Sequence, residues 1–585
     1  MHERLDHHLK GWQNKLLSKA GKAVLIKAVA QAIPTFTMSV FMLPKGVCRM
    51  YQSKVAKYWW GNSGGKRGIH WSTWEVLCKH KNDGGLGFRD IGCFNQAILA
   101  KTVWRLILNP ELLACKILYA KYFAGSSWAE VRMGAKPSFI WKSLLWGRDL
   151  ICSGTRWRIG SGEAVGIWTD KWLPSPWSFQ IITPAFLPRD TRVKRLMLQP
   201  EKILSIPLSS RAVGDVVIWH YTKTGHYTVK SGYWLGMEWK QMKLGAGSSG
   251  RMGVSNSNSL WSKIWSLQVP SKVKLLLWRA CHSFLPCVER LVKRRICSQS
   301  VCARCGEADE TVIHCLWECR VVRKIWKLSW MWPVYKIWKE PSFMDLFAHV
   351  LASEQAEQVE LFGLLIWWIW KDRNNFIHRQ TSLDPSELLR KCSDWQRELK
   401  QVWEKKQAHK HNVRSKNQLE VKWERPPPQW CKLNFDGACE ANGGNSGLGA
   451  VIRNELGELV GALAVPFAAT LKPSAVEALA LQEGLRYSRL LGIRNLEVEG
   501  DALCIINSLS QTENDLTEIG AVLEGVRLLL QEFEFVNWKH VRKKANQVAH
   551  ELARSALKSV QSMFCRERGP PWLSELVEAT NDVRG

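Results

Sequence analysis

Four residues in the middle of the chain have the types and the spacing of a zinc site. They are Cys302, Cys305, His314 and Cys319. Two thiolates separated by two residues can bind one side of a tetrahedral ion from a tight turn, and a His and a Cys about one helical turn apart can bind the other side. Because four protein ligands leave no open coordination position, we predict one structural zinc ion. The alternative is a set of unrelated buried thiols, and Cys297 and Cys315 are near enough in sequence to leave the ligand set open.

Three carboxylates in the last quarter of the chain suggest a different chemistry. Asp436, Glu477 and Asp501 have no basic residue directly beside them, so that together they would repel one another unless a cation lay between them. Hard oxygen ligands favour Mg²⁺ or Mn²⁺. Two such ions about 4 Å apart can activate water and stabilise the leaving oxygen in phosphodiester hydrolysis. Scattered acids at strand ends are the alternative, and on spacing alone this alternative is favoured.

The elements around these carboxylates predict an α/β unit with a five-stranded mixed sheet. Strand-like alternation covers residues 430–435, 447–453, 459–467, 496–500 and 534–540, and helical patterns cover 474–491, 516–531 and 546–560. Asp436 follows the first predicted strand, Asp501 follows the fourth, and Glu477 lies one turn into the first of these helices. The three converge at one edge of the sheet if strands one and four are neighbours, since open α/β sheets carry their sites at strand carboxyl ends.

The charge of the chain is large and uneven. Its 585 residues include 82 Lys and Arg against 52 Asp and Glu, a formal charge of +30. Residues 428–585 carry 16 basic and 20 acidic residues, so the preceding part has a net charge of +34. We expect nucleic acid as the partner, bound mainly through residues 1–427, with an ordinary solvated surface as the alternative. A composition of 46% hydrophobic and 23% charged residues excludes disorder throughout, collagen and a disulfide miniprotein.

Other compositional features bear on location and packing. Most of the 33 tryptophans are expected to fill cores, although tryptophan also stacks on bases in single-strand binders. The N-terminal sequence is polar, unlike a secretory signal, and the apolar stretches 28–44 and 361–370 are interrupted or shorter than the roughly 20 residues of a membrane span. We therefore expect an intracellular protein, nuclear or cytoplasmic and not secreted, with no membrane partner and with 17 reduced cysteines.

The last quarter resembles the plant branch of type-1 ribonuclease H domains. The matching segments are KLNFDGACEANGGNSGLGAVIRNELGELV (432–460), EALALQEGL (477–485), VEGDALCIINSL (498–509) and KHVRKKANQVAHELAR (539–554). The resemblance implies that Asp436, Glu477 and Asp501 bind two Mg²⁺ or Mn²⁺ ions, with Asp436 bridging them. The fourth ligand position, often Asp in this family, is His550, and this departure weakens the second metal position or changes its pH response. Asn546 occupies the position of the motif asparagine, which we expect to orient the substrate or the final helix.

The upstream parts resemble the zinc-binding region that follows reverse transcriptase in plant LINE-type (non-LTR) retrotransposons. Residues 259–295 and 318–326 carry this resemblance, and GHYTVKSGYWL (225–235) resembles its usual lead-in. Residues 17–44, 84–106 and 165–174 resemble the segment between the polymerase and that zinc region. The chain contains no Asp-Asp pair, the metal-binding pair of a reverse transcriptase palm, so the polymerase catalytic region is missing.

These observations predict a multidomain protein with a mostly α, basic N-terminal region, a small zinc-binding domain and an α/β ribonuclease H-like domain. The predicted segments are a remnant of the thumb or connection (1–120), a Trp-rich connecting region (121–244), a Gly/Ser linker (245–259), the zinc-binding domain (260–327), a helical region (328–403), a charged, Pro-containing linker (404–429) and the ribonuclease H-like domain (430–565).

The leading functional hypothesis is a retrotransposon-derived ribonuclease that cuts the RNA strand of an RNA–DNA hybrid, leaving 5′-phosphate and 3′-hydroxyl ends as the family does. Candidate phosphate-binding residues are Lys272, Lys274, Arg279, Arg290, Lys293, Arg294 and Arg295, with a solvated helix face as the alternative. A second hypothesis is a catalytically inactive protein that binds RNA, DNA or their hybrid. A third is that the zinc region contacts a protein partner.

Overall fold

The structure is a computed structural model that describes residues 1–13, 17–61, 68–123, 125, 127–175, 178–184, 187–197, 206–245, 257–338, 342–414, 423–440, 444–467, 471–510 and 515–581. The α-helices are α1 His2–Gln13, α2 Lys19–Leu25, α3 Thr35–Val40, α4 Lys45–Trp60, α5 Trp74–Cys78, α6 Ile91–Leu108, α7 Leu113–Leu118, α8 Phe139–Gly154, α9 Lys194–Met197, α10 Val229–Gly245, α11 Ser257–Ser266, α12 Ser271–Cys281, α13 Val288–Val292, α14 Arg320–Lys327, α15 Trp332–Ile337, α16 Phe343–Ser353, α17 Ala356–Arg379, α18 Pro385–Arg414, α19 Pro473–Leu490, α20 Leu503–Leu509, α21 Gly520–Leu530, α22 Gln547–Lys558 and α23 Pro571–Asn581. The strands are β1 Thr155–Arg158, β2 Val216–Trp219, β3 Cys431–Cys439, β4 Ser446–Arg453, β5 Leu459–Phe467, β6 Asn495–Gly500, β7 Phe535–His540 and β8 Met563–Arg566.

The chain divides into two compact units, each built from several stretches of sequence. The first unit, called the zinc-containing unit after its predicted zinc ligands, comprises Met1–Thr102, Met133–Trp146 and Gly236–Asn417. The sheet-containing unit comprises Val103–Arg132, Gly147–Leu235 and Gln418–Gly585. The seven predicted segments do not map one to one onto these units, and their boundaries remain predictions. Of the predicted linkers, residues 246–256 and 415–422 lie outside the described residues, while α18 extends to Arg414.

The zinc-containing unit is helical, as its apolar spacing predicts, and a glycine turn joins its distant parts. Trp278 Nε1 donates a hydrogen bond to the backbone oxygen of Gly84 at 2.8 Å. Gly84 has a φ of +80°, and a Cβ added there would lie 3.0 Å from the Trp261 ring. Glycine is therefore required for both the backbone conformation and the close approach of this turn to α11 and α12.

Three lysines of the segment 17–44 also connect sequence-distant parts of this unit. Lys19 and Lys22 donate to the Gly61 backbone oxygen directly after α4, at 3.3 Å and 2.8 Å. Lys27 donates to the Leu86 backbone oxygen at 2.6 Å. Lysines near the end of a helix satisfy carbonyl groups that have no partner within the helix, so these lysines have a structural role.

The sheet of the second unit has six strands in the order β7-β6-β3-β4-β5-β8. The neighbours β3, β4, β5 and β8 are antiparallel, while β6 pairs parallel with both β3 and β7. Helices α19 and α21 bury one face of this sheet and α22 buries the other. The predicted mixed α/β architecture is confirmed, but the predicted number of five strands is wrong. The sixth strand, β8, has only four residues at the sheet edge, too few for a period-2 pattern to be recognised.

Most of the Trp-rich segment, including residues 147–235, belongs to the same unit and packs against residues 516–518 of the sheet domain. Arg156 of β1 pairs with Glu518 at 3.0 Å, and Arg158 donates to the backbone oxygen of Thr517 at 3.2 Å. A Cβ added to Gly225 would lie 1.7 Å from the Leu516 backbone oxygen. The lead-in motif that begins at Gly225 therefore touches the sheet domain, although it lies more than 200 residues before it in the sequence.

No helix within the described ranges combines the length and the apolar composition needed to cross a membrane.

Candidate active site and metal centre

Strand register brings two of the carboxylates to one edge of the sheet. Asn434 of β3 lies opposite Glu499 of the parallel neighbour β6. Because every second residue of a strand faces the same side, the next positions on this face are Asp436 on β3 and Asp501, directly after β6. The condition set by the sequence, that strands one and four are neighbours, is met.

Glu477 reaches the same edge from α19. A Cβ added to Gly437 would lie 2.7 Å from the Glu477 backbone nitrogen, so only glycine allows the helix to come this close to β3. Gly437 thus allows the backbone of Glu477 to lie directly beside β3, one residue after Asp436.

The three carboxylates affect one another electrostatically. Burial, followed by the charges of Asp436 and Asp501, raises the pKa of Glu477 to about 7. Burial also raises the pKa of Asp436, where the hydrogen bond with His550 opposes the shift and the charge of Asp501 adds to it. The three groups thus form one cluster with excess negative charge. Their oxygens are not all within 4.8 Å of one another, since among the described residues only the Cys302 group meets that condition.

His550 lies against the central carboxylate. Gly449 of β4 lets α22 approach closely, because a Cβ there would lie 2.3 Å from the Ala553 nitrogen. This packing places His550 Nδ1 2.6 Å from Asp436 Oδ2. The imidazole therefore occupies one side of the carboxylate that the resemblance assigns to both metal ions.

Asn546 connects the ends of the two carboxylate-bearing strands. Its Nδ2 donates to the Phe435 backbone oxygen at 2.8 Å and to Asp501 Oδ1 at 3.2 Å. Asn546 is buried, and its Oδ1 has no hydrogen-bond partner among the described residues. Asn546 is expected to orient either the substrate or the final helix. Its two hydrogen bonds support the second role, because they hold the start of α22 against the ends of β3 and β6.

Sequence reasoning missed His540. It pairs in register with Gly500 across β6 and β7, and its Nε2 lies 3.1 Å from the Asp501 backbone oxygen. Its side chain is exposed at the rim of the cluster. The residue lies within the segment 539–554 that carries the family resemblance, but its proximity to Asp501 depends on strand register, which the sequence does not state.

A buried polar network behind the carboxylates was also missed. Lys432 Nζ lies 2.7 Å from Glu499 Oε1, and Asn434 donates to the same carboxylate at 3.0 Å. The Arg453 guanidinium lies 3.5 Å from the centre of the Trp423 ring. Lys432, Asn434 and Asp436 alternate along β3, and this polar period-2 pattern could have indicated a second, polar face. The network ties β3 to β6 on the face that carries Asp436.

The four predicted zinc ligands come together. The ligand atoms of Cys302, Cys305, His314 and Cys319 all lie within 4.8 Å of one another. Gly306, with a φ of +67°, donates its backbone N–H to the Cys302 oxygen at 2.8 Å and closes the turn that holds the two cysteines. Contact with Cys319 lowers the pKa of the Cys302 thiol, and contact with Cys302 raises that of His314. This set of soft ligands fits zinc.

The other two cysteines near this cluster do not join it. Cys297 is exposed, and Cys315 Sγ lies 3.5 Å from Cys287 Sγ, in a separate buried contact.

Two buried ion pairs hold the zinc loop on α17. Arg304, between the paired cysteines, lies 2.6 Å from Asp372, with side chains 4% and 1% exposed. The next residue of α17, Arg373, pairs with buried Glu310 on the far side of the loop. Because α17 lies beyond residue 327, the helix that completes the zinc region comes from the segment predicted to be a separate helical region.

The predicted phosphate-binding residues divide into two groups. Arg279 is held inward, donating to the Phe284 oxygen at 2.9 Å, and burial lowers its pKa to about 10. Lys274 donates to the Trp265 oxygen at 2.9 Å, and Lys272 lies 4.3 Å from the centre of the Trp367 ring. Along and after α13, Lys293, Arg294 and Arg295 are exposed and Arg290 is half-buried.

Comparisons with known proteins agree with these two regions. A family described as "reverse transcriptase-like" matches residues 434–556, and one described as "zinc-binding in reverse transcriptase" matches residues 248–326. "Putative ribonuclease H protein At1g65750" of Arabidopsis thaliana is 25% identical over 95% of this chain and 92% of its own length. "Uncharacterized mitochondrial protein AtMg00310" of the same plant is 43% identical over 24% of this chain and 93% of its own length.

Solved structures similar to this chain include ribonuclease H1 from Halobacterium salinarum, 25% identical over 22% of this chain and 98% of that chain, with a TM-score of 0.21. Another is LC11 ribonuclease H1 in complex with an RNA/DNA hybrid, 20% identical over 22% of this chain and 96% of that chain, with a TM-score of 0.20. On the sequence matches and the geometry of the two regions, the chain belongs to the retrotransposon-derived ribonuclease H proteins, in which a reverse-transcriptase zinc-binding region precedes a ribonuclease H-like domain.

Proposed function

We propose that this protein hydrolyses the RNA strand of RNA–DNA hybrids, using divalent metal ions held by Asp436, Glu477 and Asp501. The observation that carries the proposal is the convergence of these three carboxylates, from two strand ends and one helix, at one edge of the sheet. A site of this kind recognises RNA through its 2′-hydroxyls, which line the wide, shallow minor groove of an A-like helix.

The residues of this edge suit hard divalent cations. The cluster has three carboxylates, two of whose pKa values are raised by burial and by their neighbours. A bound cation would relieve both effects, and Mg²⁺ or Mn²⁺ is the choice that oxygen ligands favour. Bound divalent ions supply an activated water nucleophile and stabilise the leaving oxygen in phosphodiester hydrolysis.

The remaining residues of the site position the carboxylates. Asn546 holds Asp501 against the end of β3 through its two hydrogen bonds. His540 presents an exposed imidazole beside Asp501, where it could exchange a proton with bound substrate or solvent.

The zinc ion, by contrast, is proposed to be purely structural, since its four ligands leave no position for a substrate.

A second candidate function is nucleic-acid binding without catalysis. The contact between His550 and Asp436 favours it, because the imidazole engages an oxygen of the carboxylate proposed to bind both ions. In this case the carboxylate edge would not hold two metal ions, and the basic residues alone would account for function.

Cleavage assays distinguish the two candidates. The full-length protein is incubated with Mg²⁺ and with hybrid, RNA duplex or DNA duplex of one sequence, each labelled at one end. We expect cleavage of the RNA strand in the hybrid alone, with 5′-phosphate and 3′-hydroxyl products.

Two substitutions on α19 provide a matched pair for this assay. Glu477→Gln should abolish cleavage, whereas Glu483→Gln, at a carboxylate that pairs with Arg486 on the same helix, should leave it unchanged. Hybrid that is bound but never cut by the wild-type protein would favour the binding-only function.

A further inference from the structure

A small basic pocket lies on the zinc-containing unit, and none of the predicted zinc ligands lines it. It is lined by Trp71, Arg290, Lys293 and Arg294 and has a volume of about 80 Å³. The Arg294 guanidinium carbon lies 5.3 Å from the centre of the Trp71 ring. Trp71 comes from the segment before α5, so the pocket joins two parts of the unit that are more than 200 residues apart.

The pocket has a net positive charge. Lys293 pairs with Glu289 one turn earlier in α13, but within the described part of the chain no acid forms an ion pair with Arg290 or Arg294. Arg290 Nε donates to the Ser283 backbone oxygen at 2.9 Å, which fixes the side chain at the wall of the pocket. After burial and Lys57, the charge of Arg294 lowers the pKa of the nearby His70. The positive field thus extends beyond the pocket itself.

The size and chemistry of the pocket indicate its ligand. The pocket volume of about 80 Å³ gives enough room for a group of the size of a phosphate. Arginine presents a planar fork of donors that matches the oxygens of a phosphate. Stacking on an indole ring holds such a fork in place before the ligand arrives.

We propose that Trp71, Arg290, Lys293 and Arg294 form a binding site for one backbone phosphate of a nucleic acid. The site rests on the proposed function in so far as the protein acts on nucleic acid, and it does not depend on catalysis. It contains three of the seven cations that the sequence predicts for phosphate binding. The other four predicted cations, Lys272, Lys274, Arg279 and Arg295, do not line the pocket.

The test compares two triple variants of the full-length protein that each lose three positive charges. Arg290→Gln/Lys293→Gln/Arg294→Gln removes the pocket cations, and Arg390→Gln/Lys391→Gln/Arg397→Gln removes cations of α18 that pair with acids on their own helix. Affinity for a 20-base-pair hybrid is measured over a range of salt concentrations without divalent metal, so that cleavage is not required. Zinc content confirms that each variant is folded.

We expect the pocket variant to lose about ten- to a hundredfold in affinity, and its plot of log affinity against log salt to flatten by about 0.9 for the one phosphate lost. The α18 variant should change affinity by less than threefold. Trp71→Leu, which keeps all three cations, should weaken binding about two- to fivefold with an unchanged salt slope. The same losses should appear with DNA duplex, since the ligand is a phosphate.

Equal losses in the two triple variants would overturn the proposal, because binding would then follow net charge alone. So would an unchanged affinity in both the pocket variant and Trp71→Leu. A wild-type protein that binds through the pocket but never cleaves hybrid would contradict the proposed catalysis and leave this site intact.

Discussion

The zinc cluster and the carboxylate cluster are opposites in their local chemistry. The zinc ligands lie within one stretch, residues 302–319, and their thiols and imidazole already lie within 4.8 Å of one another. The carboxylate cluster comes from residues 436–501, and burial together with the charges of Asp436 and Asp501 raises the pKa of Glu477. The first set of ligands is of the kind that closes around one ion, while the second holds excess negative charge that a bound cation would relieve. The difference supports the proposal of a structural metal ion in the first cluster and of catalytic metal ions in the second.

Both clusters nevertheless depend on distant segments that hold them in place. The zinc loop is fixed by ion pairs with α17, and the sheet domain that carries Asp501 packs against the segment around Arg156 and Gly225. Neither family match includes the segment that supports its cluster. The zinc-binding match ends at residue 326, before α17, and the reverse transcriptase-like match begins at residue 434, after Arg156 and Gly225. The functional regions are therefore parts of larger folded units.

If the cysteine cluster binds structural zinc, each of its ligands is needed for the folding of this region. Because zinc binding to such sites is worth about 10–16 kcal/mol at neutral pH, Cys302→Ser or His314→Ala should lose the metal and the protease protection of residues 297–326. Cys297→Ser, at an exposed thiol outside the cluster, is the control and should keep one zinc per chain by mass spectrometry. A metal-free protein that is equally protected would refute the zinc assignment.

The support of the zinc loop by α17 can be tested at Arg304. Arg304→Ala leaves the buried Asp372 carboxylate with its hydrogen bonds from Ser382 and Leu383 but without its cationic partner. Loss of one partner from a buried ion pair typically costs about 3–5 kcal/mol. Zinc should then be released faster to a chelator. Arg320→Ala, which removes an exposed pair with Glu307, should cost less than about 1 kcal/mol and leave the release rate unchanged. Equal rates in the two variants would show that the ion pair is dispensable.

The support of the sheet domain can be tested at Gly225. Gly225→Ala forces a Cβ onto the Leu516 oxygen in addition to straining a positive φ, and we expect a loss of more than about 2 kcal/mol in stability. Gly134 has a similar φ, +74°, but no atom near the added Cβ, so Gly134→Ala should lose only about 1 kcal/mol. Thermal unfolding of the two variants isolates the close approach, and equal losses would argue against it.

The smallest expected effect concerns His550. His550→Asp replaces the imidazole beside Asp436 with an oxygen ligand, and the Mg²⁺-supported cleavage rate should rise several-fold, equivalent to about 1 kcal/mol. Glu551→Gln, on the next residue of α22 and paired with Arg554, is the control. An unchanged rate in His550→Asp would mean that His550 does not limit the metal site.

The two clusters also differ in how far the sequence predicts them. Cys302, Cys305, His314 and Cys319 could be identified from spacing, because the ligands of a zinc turn are local. Identification of the three carboxylates, Asp436, Glu477 and Asp501, also required the family resemblance. Their convergence depends on which strands are neighbours, and the sequence does not state this. His540 and the network around Glu499 were missed for the same reason, because strand register is a long-range property.

The supporting contacts could not be predicted at all. Nothing in the sequence pairs Arg304 with Asp372, or Gly225 with Leu516, because such contacts follow from helix and loop packing over 60 to 300 residues. Among the basic candidates, the local density of Lys and Arg identified α13 but could not show that Arg279 is held inward by the Phe284 backbone oxygen. The edge strand β8 was missed because four residues carry too little periodicity.

Cleavage of a labelled RNA–DNA hybrid by the full-length protein and by Asp501→Asn, with zinc content measured on the same samples, tests the central claim most directly. If the carboxylates hold catalytic metal and the cysteine cluster holds structural metal, Asp501→Asn keeps one zinc per chain, binds hybrid at least as well as wild type and loses Mg²⁺-dependent cleavage. Hybrid binding should not weaken, because one negative charge near the phosphates is removed. Cleavage at the wild-type rate by Asp501→Asn would contradict the assignment of the active site.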